Sequence, residues 1–186
     1  MTMTVKIFAL GDSITYGFPY GPHQSWVQLV SQWTSLDIVN GGINGDTTTF
    51  MLHRLSAALE ENPTHLIFLG GTNDAYWGQA LRVVAENVLE VHRRCQERGV
   101  QLIMGLPIPV DEPQVDALLS EYRAFYQDLA DREGLPVIPF HKAFYDAAGR
   151  FKTQLTTDGC HPNIDGYEAM AEVAEKAVKN LWHNRG

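Results

Sequence analysis

The stretch Leu10-Gly11-Asp12-Ser13-Ile14-Thr15-Tyr16-Gly17 decides how this chain is organised. The apolar run at residues 5–10, rich in β-branched and aromatic side chains, comes directly before it and predicts a buried strand. The glycine that follows permits a tight turn, which places Ser13 at the carboxyl edge of a sheet. Open α/β sheets bind their ligands at that edge, so Ser13 is a candidate for chemistry. The alternative is that Ser13 only caps the next helix, because serine is a preferred N-cap residue.

Outside this stretch, the chain alternates between strand and helix patterns. Apolar runs predict further strands at residues 37–40, 66–69, 100–104 and 137–140, with helical periodicity between them and a last helix from about residue 163. Strands that alternate with helices imply βαβ crossovers and a parallel sheet covered on both faces. We therefore expect an α/β fold, a three-layer α/β/α sandwich with a five-stranded parallel sheet, in a single domain over residues 1–186. Pro139 favours an edge position for the fifth strand because proline donates no hydrogen bond.

Two helix boundaries carry specific expectations. Apolar residues at helical spacing predict one helix over residues 51–59 that stops before Pro63, with Asp46 as its N-cap. A longer amphipathic helix over residues 81–95 is expected to end with Gly99 as its C′ residue.

Composition and charge exclude several classes of function. The chain has 186 residues and a net charge of -8, without the basic patch expected of a nucleic-acid-binding protein. No apolar run approaches the ~18 residues of a membrane span, and Met1–Thr4 show no basic start of a signal peptide. Cys95 and Cys160 match neither a metal site nor a disulfide framework. A cytoplasmic location is the simplest expectation.

Four polar clusters stand where chemistry is expected. Three follow predicted strands, and the fourth precedes the last helix. In chain order they are Gly11-Asp12-Ser13, Gly42-Ile43-Asn44-Gly45-Asp46, Gly71-Thr72-Asn73-Asp74 and Asp158-Gly159-Cys160-His161-Pro162. In a parallel sheet the three post-strand loops share one edge, and the fourth cluster needs only to fold back over it.

These clusters contain the groups that nucleophilic catalysis requires. A serine hydroxyl needs a neighbouring base, and the base needs an orienting group. His161 supplies a base, and Asp158 lies three residues earlier, within one turn of it. The Ser13 amide, the Gly45 amide and the Asn73 side chain are candidate donors for a developing oxyanion. Taken singly, the histidine fits an incidental surface turn better than a catalytic role, and the asparagine fits a turn former better.

Taken together, the four clusters resemble the four sequence blocks of the SGNH hydrolases, also called GDSL esterases and lipases. Order and approximate spacing match over nearly the whole chain, and Ile14 stands where the family name has leucine. The resemblance implies a flavodoxin-like sandwich with strand order 2-1-3-4-5. It also implies Ser13 as nucleophile, His161 as base, Asp158 as its partner, and an oxyanion hole formed by the amides of Ser13 and Gly45 with the Asn73 side chain. No metal or organic cofactor is implied.

Several other residues near these clusters receive smaller roles. Asp12, Asp46 and Asp74 are expected to hold turns and cap helices rather than do chemistry. Pockets for acyl or aryl groups are mostly apolar, so nearby aromatic residues and one proline are candidates for lining such a pocket, although ordinary surface or core positions explain them equally well. These candidates are Tyr16, Phe18, Tyr76, Trp77 and Pro107.

The expected activity is that of a serine esterase or acylhydrolase acting on a small-molecule ester through an acyl-enzyme. Short- to medium-chain acyl esters, lysophospholipids and acetylated carbohydrates are the substrate classes that the resemblance implies. Two alternatives remain open. One is a metal-dependent phosphoesterase that uses Asp12, Asp74, Asp158 and His161 as ligands, and the other is a catalytically silent binding module on the same fold.

Overall fold

Five parallel strands form the central sheet of the computed structural model, which describes residues 5–183. The strands are β1 (Lys6–Gly11), β2 (Asp37–Gly42), β3 (His65–Leu69), β4 (Gln101–Gly105) and β5 (Val137–Ile138). They lie in the order β2-β1-β3-β4-β5, and each neighbouring pair is parallel. The α/β fold class and the strand order 2-1-3-4-5 are therefore confirmed, with β5 at an edge. The residues Met1–Thr4, on which the expectation of no signal peptide rests, lie outside the described residues.

Helices cover both faces of the sheet. They are α1 (Ser13–Tyr16), α2 (Trp26–Thr34), α3 (Thr48–His53), α4 (Leu55–Glu60), α5 (Thr72–Tyr76), α6 (Leu81–Glu97), α7 (Pro113–Glu133) and α8 (Ile164–His183). Gly99 follows α6 with a φ of 66°, as its expected place at the C′ position requires. Within residues 5–183, no helix combines the length and apolarity that crossing a bilayer demands.

The apolar side chains of the central strands belong to two separate hydrophobic cores, one on each face of the sheet. Successive residues of a strand point to opposite faces of a sheet. In β1, Phe8 and Leu10 belong to the core under α3, α4, α6 and α7, whereas Ile7 and Ala9 belong to the core under α2 and α8. The strands read as continuous apolar runs because both faces are covered. This packing fixes the carboxyl edge of the sheet, from which the site loops emerge.

The prediction of one continuous helix over residues 51–59 is wrong. The segment is divided into α3 and α4 at Arg54, whose backbone has φ -98° and ψ 5°. The expected N-cap at Asp46 is also wrong, because the hydroxyl of Thr47 accepts the Phe50 amide instead. The carboxylate of Asp46 accepts a hydrogen bond from Nε of Arg54 at 2.6 Å, so a tertiary ion pair replaces the local cap.

Candidate active site

The turn after β1 presents Ser13 at the carboxyl edge of the sheet. The carboxylate of Asp12 caps α1 by accepting the Ile14 amide at 2.9 Å. The interpretation of Ser13 as a helix cap is therefore wrong, and the expectation for Asp12 is confirmed. Ser13 is the first residue of α1, a position whose amide has no acceptor within the helix. The Ser13 amide is therefore not used by the hydrogen bonds of the helix.

A chain of hydrogen bonds joins Ser13 to two residues of the loop before α8. Oγ of Ser13 lies 3.0 Å from Nε2 of His161, and Nδ1 of His161 lies 2.7 Å from Oδ2 of Asp158. Ser13 is 7% exposed, so the nucleophile candidate sits at the base of a concavity. A hydroxyl, an imidazole and a carboxylate in this sequence of contacts form the arrangement that activates a serine.

The loop around Asp158 holds its carboxylate in one orientation. Oδ1 accepts the backbone amides of His161 at 2.7 Å and Cys160 at 3.0 Å. Burial alone would raise the pKa of Asp158, but the hydrogen bonds from the His161 backbone and ring and the Cys160 amide outweigh it, and the pKa is lowered. The group facing the imidazole is therefore an ionised carboxylate at neutral pH, which fixes the tautomer of the ring.

Phe18 contacts the His161 ring directly. Its ring packs on the ring of His161 with 4.7 Å between centroids. The hydroxyl of Tyr167 in α8 donates to the Phe18 carbonyl at 2.7 Å, which holds this segment in place. The structure thus places Phe18 against the imidazole, and not among the side chains that line the cavity next to Ser13.

The remaining candidate oxyanion donors are Gly45, in the loop after β2, and Asn73, in the short helix α5 that follows β3. Gly45 has a φ of +82°, a conformation that favours glycine. Nδ2 of Asn73 donates to the carbonyl of Asp46 at 2.8 Å, and an amide nitrogen has a second hydrogen to offer a ligand. In addition, the carboxylate of Asp74 accepts the Thr48 amide at 2.9 Å and its hydroxyl at 2.7 Å. The loop after β2 and helix α5 are therefore tied together, and Asp74 of α5 caps α3.

A cavity of about 290 Å³ opens beside Ser13. It is lined by Ser13, Thr72, Asn73, Tyr76, Glu112, Asp158, Cys160 and His161. Burial raises the pKa of Tyr76, and the neighbouring Cys160 thiol and Glu112 carboxylate raise it further. Glu112 is a residue that the sequence interpretation missed. It belongs to none of the four polar clusters. The one feature of the sequence that could have indicated it is its position after β4, in a loop that leaves the sheet at the same edge as the site loops.

The other predicted lining residues lie elsewhere. Trp77 is 81% exposed and lines a neighbouring cavity of about 370 Å³ together with Phe50. Pro107 is buried, and its carbonyl accepts a hydrogen bond from Nη1 of Arg123 at 3.3 Å. Tyr16 is partly buried and is not among the residues around the cavity at Ser13. Closeness in sequence to a site loop did not determine where these side chains point.

The carboxylates required by a metal-dependent mechanism are dispersed. Asp12 is buried, and burial raises its pKa to about 7, helped by the negative charges of Asp74 and Asp46. Asp74 is engaged with α3, and Asp158 faces His161. Over residues 5–183, no three histidine, cysteine or acidic side chains converge in a way that would hold a metal ion. The donor set of the phosphoesterase alternative is therefore not assembled.

Comparison with known proteins gives consistent matches over almost the whole chain. The sequence profile of the GDSL-like lipase/acylhydrolase family matches residues 9–169, which include all four polar clusters. An arylesterase of Vibrio mimicus is 26% identical over 183 residues, covering 95% of this chain and 90% of the relative. Esterase TesA of Pseudomonas aeruginosa is 25% identical over 182 residues, with 94% and 88% covered. The solved structure of a lipase/acylhydrolase from Enterococcus faecalis has a TM-score of 0.82 at 26% identity, covering 95% of this chain and 96% of its own.

Proposed function

The chain belongs to the GDSL-like lipase/acylhydrolase family and is a carboxylic ester hydrolase, and on that premise we propose that Ser13 is the nucleophile that forms its acyl-enzyme. The observation that carries the proposal is the continuous contact from Ser13 through His161 to Asp158, at 3.0 Å and 2.7 Å. His161 is the general base and acid, and Asp158 orients it. A catalytically silent module would have no need for this alignment.

Acylation begins when Oγ of Ser13 attacks the ester carbonyl carbon. His161 Nε2 takes the hydroxyl proton as the new C–O bond forms. The carbonyl oxygen becomes an oxyanion, which accepts hydrogen bonds from the amides of Ser13 and Gly45 and from Nδ2 of Asn73. When the tetrahedral intermediate collapses, His161 donates its proton to the departing alcohol oxygen and the original ester bond breaks.

Deacylation repeats the same proton transfers with water. His161 takes a proton from a water molecule as that water attacks the acyl carbon of the Ser13 ester. The second tetrahedral intermediate uses the same three donors. On its collapse the proton returns from His161 to Oγ of Ser13, and the carboxylic acid leaves. Every proton and bond is accounted for by side chains of this chain and water.

The cavity beside Ser13 supports a particular class of ester. Its volume of about 290 Å³ lies at the lower end of the ~300–1,000 Å³ usual for small-molecule sites, which favours a short substrate. The leaving alcohol lies near His161, since His161 must protonate it, and the carboxylates of Asp158 and Glu112 line the same cavity. We therefore propose short esters of neutral, hydroxylated or cationic alcohols, including acetylated carbohydrates, over anionic ones.

A charge-matched pair of thioesters tests this substrate class. Butyrylthiocholine and its neutral isostere S-(3,3-dimethylbutyl) thiobutyrate differ in charge but hardly in shape. Because unit charges about 4 Å apart interact by roughly 1 kcal/mol in water and more near a protein surface, we expect kcat/KM to favour the cation about tenfold. In Glu112→Gln the preference should fall to about twofold, as measured from thiol release at low ionic strength.

The matched control is Glu133→Gln, which removes the same charge from the exposed far end of α7. It should leave the tenfold preference in place. Equal rates for the two thioesters, or an unchanged preference in Glu112→Gln, would contradict the role of Glu112 while leaving the role of Ser13 intact.

We also propose that the enzyme is one domain working in a reducing compartment, the cytoplasm. Cys95 and Cys160 are both free and buried, and burial raises the pKa of each thiol to about 12. A buried, protonated thiol beside His161 is compatible with a compartment in which thiols stay reduced.

A further inference from the structure

Arg54 connects two separate parts of the catalytic edge. Its Nε donates to Oδ2 of Asp46 at 2.6 Å, and its Nη2 donates to the backbone carbonyl of Gly11 at 2.7 Å. The side chains of this ion pair are 22% and 12% exposed. Because the pair is largely shielded from water, it holds its geometry better than a surface salt bridge does.

The two acceptors flank the proposed oxyanion donors. Gly11 is the last residue of β1 and lies two positions before Ser13. Asp46 directly follows Gly45, and its carbonyl accepts the hydrogen bond from Asn73. One guanidinium therefore fixes the turn that carries the first donor and the loop that carries the second, and that loop in turn holds the third.

The local fold is adapted to this contact. Arg54 is the residue at which α3 ends and α4 begins, so its side chain leaves the helical segment at an interruption. A guanidinium presents its donors in a rigid planar fork, whereas a lysine ammonium is a single point on a flexible stem. Only the fork holds two acceptors at a set separation.

We propose that Arg54 is a positioning residue that sets the distance between the Ser13 amide and the Gly45 amide in the oxyanion hole. The inference rests on the proposed function. Arg54 touches no reacting atom, and its effect passes through the loops that it joins. Donors of an oxyanion hole stabilise the transition state only when they are already in place, and displacements of about 1 Å are costly. The contribution of Arg54 therefore belongs to kcat rather than to substrate binding.

The test compares Arg54→Lys with the wild-type enzyme. Lysine keeps the charge and reaches one acceptor but not both, so we expect kcat for 4-nitrophenyl butyrate to fall about 10- to 100-fold. This is somewhat less than the ~10²–10³ lost when one oxyanion donor is removed. KM should change less than threefold. The inhibition constant of butylboronic acid, which mimics the tetrahedral intermediate, should rise in proportion to the loss in kcat/KM.

Arg123→Lys is the matched control. Arg123 also joins a carboxylate and a backbone carbonyl, Asp116 at 3.2 Å and Pro107 at 3.3 Å, and its side chain is 10% exposed. We expect both lysine variants to lower the melting temperature by similar amounts, but Arg123→Lys to keep kcat within about twofold. A purely structural role would affect the two variants alike.

Two outcomes would overturn the proposal: an unchanged kcat in folded Arg54→Lys, whether or not KM rises, or unaltered boronic acid inhibition. Should Arg54→Lys fail to fold, Arg54→Met combined with Asp46→Asn provides the second variant, because it removes both charges of the ion pair and leaves neither without its partner. The double variant should show the same loss in kcat, since the fork is still missing, and full activity would contradict the inference. An active Ser13→Ala would instead refute the proposed function, so the two failures are distinguishable.

Discussion

Replacing Ser13 with alanine is expected to lower kcat for 4-nitrophenyl butyrate by about 10³-fold or more, the scale lost when the nucleophile of a serine triad is removed. The substitution deletes the hydroxyl oxygen that lies 3.0 Å from Nε2 of His161. Since Asp12 and not Ser13 caps α1, the variant should fold with a melting temperature close to that of the wild type. EDTA should leave the wild-type rate unchanged. Steady-state rates and thermal unfolding measure both effects.

Ser31→Ala is the control for this substitution. The Ser31 hydroxyl also makes one hydrogen bond, to the carbonyl of Leu36 at 2.7 Å, but at the end of α2 away from the cavity. It should keep full activity. A Ser13→Ala preparation with wild-type kcat would mean that another group performs the chemistry. A wild-type rate that EDTA lowers would support the metal-dependent alternative.

Replacing Asp158 with asparagine is the second large effect. The side-chain oxygen of the introduced asparagine still accepts the amides of Cys160 and His161, so the loop keeps its shape. The new NH₂ group, however, faces Nδ1 of His161, where an acceptor stood at 2.7 Å. This group stabilises the His161 tautomer in which Nε2 carries the proton. In that tautomer Nε2 cannot accept the proton of the Ser13 hydroxyl. A loss of about 10³–10⁴ in kcat is expected, the magnitude seen for this change in triads.

Asp146→Asn is the matched control because Asp146 also accepts two backbone amides within a loop, those of Ala148 and Arg150. The pKa of its carboxyl is likewise lowered, chiefly by the hydrogen bond from the Arg150 amide. The Asp146→Asn variant should keep the kcat of the wild type. A value of kcat in Asp158→Asn within tenfold of the wild type would show that the His161 tautomer does not depend on Asp158.

The features that the sequence predicted correctly are those with a local physical cause. The five strands are runs of apolar residues that need both faces covered, and the strand order followed from the resemblance carried by the four polar clusters. Those clusters meet because parallel strands bring their carboxyl ends to one edge. That geometry is enough to place Ser13 and Asn73 in the same region without any knowledge of side-chain contacts.

The features that escaped prediction depend on tertiary contacts. Arg54 occupies a polar position in a pattern that reads as an ordinary amphipathic helix, and nothing in the sequence shows that it reaches Gly11, 43 positions away. Asp46 has the local signature of a helix cap, but the ion pair with Arg54 takes its carboxylate. Glu112 lies far in sequence from every motif, and Trp77 lies next to one but faces a different cavity.

Covalent labelling of the nucleophile tests the central claim most directly. A fluorophosphonate reacts with an activated serine, and peptide mass mapping locates the adduct. We expect one adduct per chain, on Ser13, that appears in step with the loss of esterase activity and is absent from Ser13→Ala. Complete inactivation with the adduct on another residue, or with Ser13 unmodified, would contradict the account.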